Sequence, residues 1–424
     1  MPTPVQPRLP RWILLTAALA ILALGAAAVW GLRSLRSQPA PPPRVQPRRT
    51  VVVFPFENLD GKPDTTYFAD AMTTEVAARI ALLQNLSVLS HLPRATRDPR
   101  DAARQLGADL LLQGTARRDA GRGRLSVKLL DTTTGDTVWS ESQERPFTEA
   151  YDYYLRGRLH LTAFSFDLSL QMLTKALELD PNHAPAYALL AQAHAYHYRY
   201  LRSDPARLDQ AALAVERALQ VASDLPETQL ALAILGACQG HWDDALGPAR
   251  KALAIRPADP WTHLTLSWIY TNRQPPDPDQ IREHAEEALR FAPELGPAYV
   301  QLAAGLLLAG RFSEAGAALQ RALTLMPDSI LPHLGIAELH LSQTQYPQAQ
   351  QELDTALSLT PEAPLPLFYL ACLHAAQGHP EEALTAWETA VQKGFHDWDL
   401  AHRLPYLESI RAEGRFLSLV PASR

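Results

Sequence analysis

The chain's best candidate metal ligands are three histidines, His183, His194 and His197. The last two stand three positions apart and so share one face of a helix, where neutral imidazoles can ligate a metal. No carboxylate or cysteine completes the set, so polar surface histidines are the default reading. Cys238 and Cys372 lie 134 positions apart and form neither a disulfide framework nor a four-ligand zinc site by themselves. With no His–Asp arrangement around either, they read as small buried side chains rather than nucleophiles. The acid pairs Asp243–Asp244 and Glu381–Glu382 fall in first turns of helices, where they complement the helix dipole. Nothing of the form GxxxxGK[ST], HExxH or GxSxG occurs, nor a kinase set, so no element pre-arranges phosphate, zinc or an activated serine. The chain is expected to be no enzyme and to hold no cofactor and no metal. What remains is recognition by apolar and aromatic surfaces, and the elements that would carry them.

Those elements form a long, foldable chain. Of 424 residues, 47% are hydrophobic and 20% charged, which excludes disorder. The 39 basic and 45 acidic residues give −6. Residues 1–50 hold seven Arg and no acid, so the remainder carries 32 minus 45, or −13. A basic footprint for nucleic acid is therefore missing from the folded part.

The short tail 1–11 precedes an uncharged run of twenty-one residues, Trp12 to Leu32, flanked by Arg8, Arg11, Arg33 and Arg36. As a helix it covers ~30 Å, one hydrocarbon thickness, with Trp12 and Trp30 near the headgroups. A cleaved signal peptide is the alternative, against which the length of the run argues. The expectation is a single-pass protein of the bacterial inner membrane, attached through residues 12–32. Residues 33–49, rich in Pro and Arg, read as a semi-extended spacer. Arginine counts favour a cytoplasmic body.

Beyond the spacer, Thr50 to Phe56 is a β-branched and aromatic strand ended by the turn Asn58-Leu59-Asp60-Gly61. A helix over 67–83, a strand over 86–89 and a helix from Asp98-Pro99 to Leu106 follow, then strands at 108–115, 125–130 and 137–141. This order gives one mixed sheet with helices on a face. VVVFPFENLDGKPDTTYFADAMTTEV, LGADLLLQGTARR and LSVKLLDTTTGDTVWSE, spanning residues 51–141, resemble the TolB-like amino-terminal domain of bacterial signalling chains. In that family the domain commonly stands between an output module, such as a winged-helix regulator, kinase or cyclase, and tetratricopeptide repeats. This chain starts instead at the membrane segment, with eleven residues before it, so any output activity is expected in a partner or missing. The resemblance also places the body beyond the membrane from such modules, which favours the periplasm over the cytoplasm suggested by the arginines.

Self-similarity is the strongest signal. Ala176, Ala218, Ala252, Ala288, Ala322, Ala356 and Ala390 recur at spacings of 42, 34, 36, 34, 34 and 34, and five of them precede a Pro by five positions. The period resembles that of tetratricopeptide repeats, helix pairs that bury their apolar stripe by stacking. Small residues stand where first helices approach (Ala191, Ala233, Ser267, Ala303, Ala337, Ala371) and on second helices (Ala211, Ala245, Ala315, Ala349, Ala383). Gly240, Gly310 and Gly378 suit turns needing positive φ. The second unit holds eight extra residues around Tyr198 to Asp204, read as a contact loop. The segment after Gly394 resembles the closing piece of such arrays.

The resemblance implies binding on the concave side, through first-helix positions two, five, nine and twelve. Position five reads Tyr154, Ala188, Leu230, Leu264, Val300, Leu334, Phe368; position nine reads Arg158, Gln192, Ile234, Trp268, Ala304, Glu338, Cys372. The Lys, Arg and Asn set with which some relatives grip a terminal carboxylate is missing. The expected groove is apolar, built from Tyr154, Arg158, Leu230, Ile234, Trp261, Leu264, Trp268, Val300, Leu334 and Phe368, and suits an apolar or aromatic segment of a protein partner. Burial within the chain, or self-association with a second copy, would cover the same surface.

The fold expected is mainly α: a tetratricopeptide solenoid preceded by a small α/β domain and one transmembrane helix. The boundaries are 1–11, 12–32, 33–49, 50–142 for the TolB-like domain, 150–394 for seven repeats and 395–424 for the cap. The function expected is a membrane-anchored scaffold for protein interaction; the alternative is the sensory part of a signalling system.

Overall fold

The computed structural model describes residues 49–61, 65–81, 83, 86–119, 121–201 and 204–420. The expected tail, the membrane run at 12–32 and the spacer up to 48 lie outside the described residues. Among the described residues no helix is long and apolar enough to cross a membrane. This corrects the localisation above, a single pass through the bacterial inner membrane with a periplasmic or cytoplasmic body. The longest helix described, Pro205–Ala222, shows why: Arg207, Asp209, Glu216 and Arg217 interrupt its apolar residues, the pattern of a helix half facing water.

The amino-terminal part is a mixed sheet. Its elements are β1 (Arg49–Val53), β2 (Glu57–Asn58), α1 (Thr66–Ala81), β3 (Leu86–His91), α2 (Pro99–Gln105), β4 (Leu110–Asp119), β5 (Arg122–Asp131) and β6 (Thr137–Pro146). Strand order is β3-β1-β4-β5-β6, with β2 on β4. β1 runs parallel to β3 and β4, and β4, β5 and β6 form an antiparallel meander. The Val51–Val53 run of β1 is buried on both faces, as a central parallel strand must be. Val51 and Val53 meet Phe68 and Ala69 of α1 in one core, whereas Val52 meets Ala103 of α2 and Leu111 in another. The sheet thus carries one helix on each face rather than both on one.

Seven helix pairs follow: α3 (Glu149–Thr162) with α4 (Phe166–Leu179), α5 (Ala184–Tyr200) with α6 (Pro205–Ala222), α7 (Pro226–Cys238) with α8 (Trp242–Ile255), α9 (Pro260–Asn272) with α10 (Pro278–Phe291), α11 (Gly296–Leu308) with α12 (Phe312–Leu325), α13 (Ile330–Ser342) with α14 (Tyr346–Leu359), and α15 (Pro364–Ala376) with α16 (Pro380–Gln392). The small-residue columns are buried where the helices touch. Gly157 occupies the first unit's place in that column: an added Cβ would lie 2.6 Å from Leu173 Cγ. Gly240, Gly310 and Gly378 turn the chain at φ of 81°, 71° and 77°, and Phe164 and Thr344 make the same turn without glycine, at 59° and 57°.

Sheet and repeats share one core. Phe68 meets Phe147 edge-on at 5.1 Å, and Phe147, Tyr151 and Tyr154 continue the chain of rings at 5.7 Å each. Beside them Asp152 accepts from the Tyr67 hydroxyl and pairs with Arg118 at 2.5 Å and Arg156 at 3.1 Å. This little-exposed carboxylate ties α1, β4 and α3 together. At the other end come α17 (Trp398–Arg403), a 3-10 turn (Pro405–Leu407) and α18 (Gly414–Leu417). Phe395 stacks on Phe368 at 4.4 Å and Phe416 on Trp387 at 4.6 Å, so this segment covers the last apolar face.

Candidate functional site

The closing segment also reaches back across the array. Arg199 of α5 pairs with Asp397 at 2.7 Å, with side chains only 12% and 5% exposed. The Tyr198 ring lies 4.3 Å from that of His396. Trp242 of α8 donates its indole N–H to Asp399 at 3.2 Å, and Arg403 donates to the Thr271 carbonyl at the end of α9. The second unit's extra residues make this possible. They lengthen α5 to 17 residues, against 13 in α7, α9 and α11, and the added turn presents Tyr198, Arg199 and Tyr200. Tyr198 to Tyr200, the start of the expected contact loop, therefore belong to α5, and Tyr198 and Arg199 contact the chain's own carboxy-terminal segment.

Between the repeats and the closing segment lies a partly open cavity of about 330 Å³. Of the ten expected groove residues, Trp261, Leu264, Trp268, Val300 and Leu334 line it. Leu230, Ile234 and Phe368 are instead buried between helices or beneath Phe395. Tyr154 and Arg158 face a second cleft of about 1050 Å³, which Trp261 also reaches, between α1, the end of β3 and the inter-repeat turns. A single open groove along all ten residues is thus not what the fold makes, because the sheet occupies one end and the closing segment the other. The cavity also draws on Tyr196, Tyr200, Glu338, Tyr369 and Arg403. Tyr200, on the added turn of α5, and Arg403, from the closing segment, fall outside the repeat register, so the period could not reveal them. Glu338 was visible as the one acid in the position-nine column, beside the polar Arg158 and Gln192.

Glu338 is the half-buried acid of the cavity lining. Among the described residues, Tyr369 is its hydrogen-bond donor, at 2.9 Å. Burial raises its pKa above the ordinary carboxyl value, a shift that the Tyr369 hydrogen bond and the Arg403 charge only partly oppose. Arg403 directs its donors to Thr271 and to the Asn272 side chain at 3.5 Å. On the opposite wall the Arg199 guanidinium lies 5.7 Å over the Trp268 ring, whose edge meets Trp242 at 5.4 Å.

The other sequence candidates have local roles. His183 caps α5, accepting from the Ala186 N–H at 3.1 Å. His194 is pushed down to about 4, by burial first and then by Arg207, and burial also lowers His197, which stands 3.5 Å from Asp167. Among the described residues no group of three His, Cys, Asp or Glu side chains is placed to hold a metal. Burial pushes the Cys238 thiol up to about 12 and Cys372 well above its usual value, which leaves both protonated and unreactive. Asp243 pairs with Arg273 at 2.6 Å, and Glu381 with Arg415 at 2.9 Å.

Comparison with known proteins agrees with the helix-pair period. Residues 306–365 match the family model Tetratricopeptide repeat. The chain carries tetratricopeptide repeats. A protein of Rhizobium meliloti (strain 1021) named "Putative adenylate cyclase 3" is 27% identical over 252 residues. That match takes in 48% of this chain and 43% of the relative, so the chain spans less than half of the relative's length. Among solved structures, a tetratricopeptide repeat protein from Parabacteroides merdae ATCC 43184 is 15% identical with a TM-score of 0.42, covering 62% of this chain and 100% of its own. A thermophilic TPR protein of Thermus thermophilus is 22% identical with a TM-score of 0.39, covering 44% and 98%. PilW, a type IV pilus biogenesis factor, is 19% identical with a TM-score of 0.38, covering 53% and 97%.

Proposed function

We propose that this chain is a tetratricopeptide scaffold that holds an apolar or aromatic segment of a protein partner on its concave side, around Trp261, Leu264, Val300 and Leu334. One observation carries the reading: successive first helices α9, α11 and α13 bring these side chains onto one cavity wall. Rigid rings there supply anchoring area at low entropic cost. The closing segment narrows the wall to a pocket, so the partner contributes one or two side chains rather than a whole helix. A photo-crosslinking residue at Val300, used in the native host, tests this against one at Leu213, exposed on α6. A discrete adduct from Val300 alone is expected; identical products from both positions would overturn the reading.

A second reading has support in the relative named as an adenylate cyclase: the chain as the sensory or regulatory part of a signalling system. Under it, residues 51–141 are a TolB-like domain, which the wording of that stretch supports, and the output module belongs to a partner. Co-purification of a cyclase, kinase or winged-helix regulator with the chain from its host would favour this reading; its absence under crosslinking would count against it.

A further inference from the structure

We propose that the cavity lined by α5, α9, α11, α13 and α17 is a binding site for a small ring compound carrying one amine. This inference concerns the isolated chain and stands whether or not a protein partner also uses the wall. Three observations meet here. The volume of about 330 Å³ falls at the small end of the ~300–1,000 Å³ usual for ligand pockets, which suits a bicyclic ring with a short side arm. The walls are aromatic and aliphatic, with Tyr200, Trp261, Trp268 and Tyr369 offering rings and Val300 and Leu334 offering methyl groups.

The third observation is the carboxyl group of Glu338, set in that wall at a position where other repeats carry Ile234, Trp268 or Cys372. It receives one hydrogen bond, from Tyr369, among the described residues. The cation in the same wall, Arg403, is turned to the Thr271 carbonyl and the Asn272 amide oxygen. Such a carboxylate is costly to hold without a positive partner or further donors. An ammonium supplies both, and aromatic faces stabilise the same charge. The Trp268 face toward Arg199 is already occupied by that guanidinium and the Tyr200 ring stacks on Phe166 at 6.4 Å, so Trp261 and Tyr369 are the further rings of the lining that a ligand cation would meet.

The test uses a matched pair of indoles, tryptamine and its alcohol counterpart tryptophol, titrated into the purified chain by calorimetry. One-to-one binding of tryptamine, at least tenfold tighter than tryptophol, is expected. Glu338→Gln keeps the acceptor for Tyr369 and should lower tryptamine affinity at least tenfold while changing tryptophol affinity less than threefold. Val300→Trp, which fills the cavity without touching Glu338, should abolish binding of both compounds and leave the thermal midpoint equal or higher. Failure of either indole to bind at millimolar concentration, or equal tryptamine affinity in the parent and the Glu338→Gln chain, would overturn the proposal. Loss of fold in one variant leaves the other to decide, and retained tryptamine binding in a folded Val300→Trp chain would place any site elsewhere.

Discussion

Replacing Asp397 by alanine should release the closing segment while leaving the repeats folded. Asp397 makes two attachments, the 2.7 Å pair with Arg199 and an N-cap hydrogen bond from the Leu400 N–H at 3.0 Å. Removing one member of a buried ion pair costs about 3–5 kcal/mol because the other charge is left unpaired. A lost cap adds about 1 kcal/mol. Arg199 retains the Trp268 ring at 5.7 Å, which returns about 1–2 kcal/mol. The net loss is about 3 kcal/mol, or roughly 100-fold in the local opening constant. Hydrogen exchange reads this directly at the Ala401 and Leu404 amides, which bond within α17 to Asp397 and Leu400. Their exchange should accelerate about 100-fold, with helices α10 to α14 unchanged, because stacked repeats depend on near neighbours. Arg199→Ala should reproduce the pattern. If exchange at these amides stays within threefold of the parent in both variants, the pair does not hold the segment and the reasoning fails.

Acid should destabilise the fold from below about pH 6.5. Burial holds His91, His194 and His284 down at about 4. Groups with a depressed folded pKa contribute stability fully present above their unfolded value near 6.5 and lost as pH falls toward the folded one. Thermal midpoints should therefore be flat from pH 8 to 7 and fall steadily from 6.5 to 4, with a shallower fall in His194→Gln; no change in slope in that variant would remove His194 from the explanation. Gly157→Ala drives a Cβ to 2.6 Å from Leu173 Cγ and should cost about 1–3 kcal/mol, read as a lower denaturant midpoint at unchanged slope; an unchanged midpoint contradicts close packing there. Thr344→Gly relieves a β-branched residue at φ 57° and should gain about 0.5–1 kcal/mol, the left-handed penalty less the glycine entropy; a loss of stability would mean the side chain matters more than the backbone.

The helix pairs were legible because each must bury a stripe against the next, and that need imposes small residues at Ala191, Ala233, Ser267, Ala303 and Ala337 every 34 to 42 positions. The mixed sheet was legible from the all-apolar Val51–Val53 run and the glycine turns. Its division of α1 and α2 between two faces was not, since Val52 alone signals the second core and a three-residue alternation inside an apolar run is invisible. The cavity wall was half legible. Tyr196, Leu264, Trp268, Val300 and Leu334 sit in repeat register, whereas Tyr200 depends on the length of α5. Arg403 depends on where a non-repeating segment returns. Contacts such as Arg199–Asp397 join positions 198 apart, and no local pattern encodes such a pairing.

The claim on which the site depends is that the carboxy-terminal segment crosses the array and closes it. A cysteine pair at Tyr198 and His396, whose rings lie 4.3 Å apart, tests this in a chain with Cys238 and Cys372 changed to alanine. Mild oxidation should give an intramolecular disulfide, seen as a faster monomer band on non-reducing gels that reverts with reductant. Free thiols after oxidation, or disulfide-linked dimers in place of the fast monomer, would show that the array is open in solution and contradict the account.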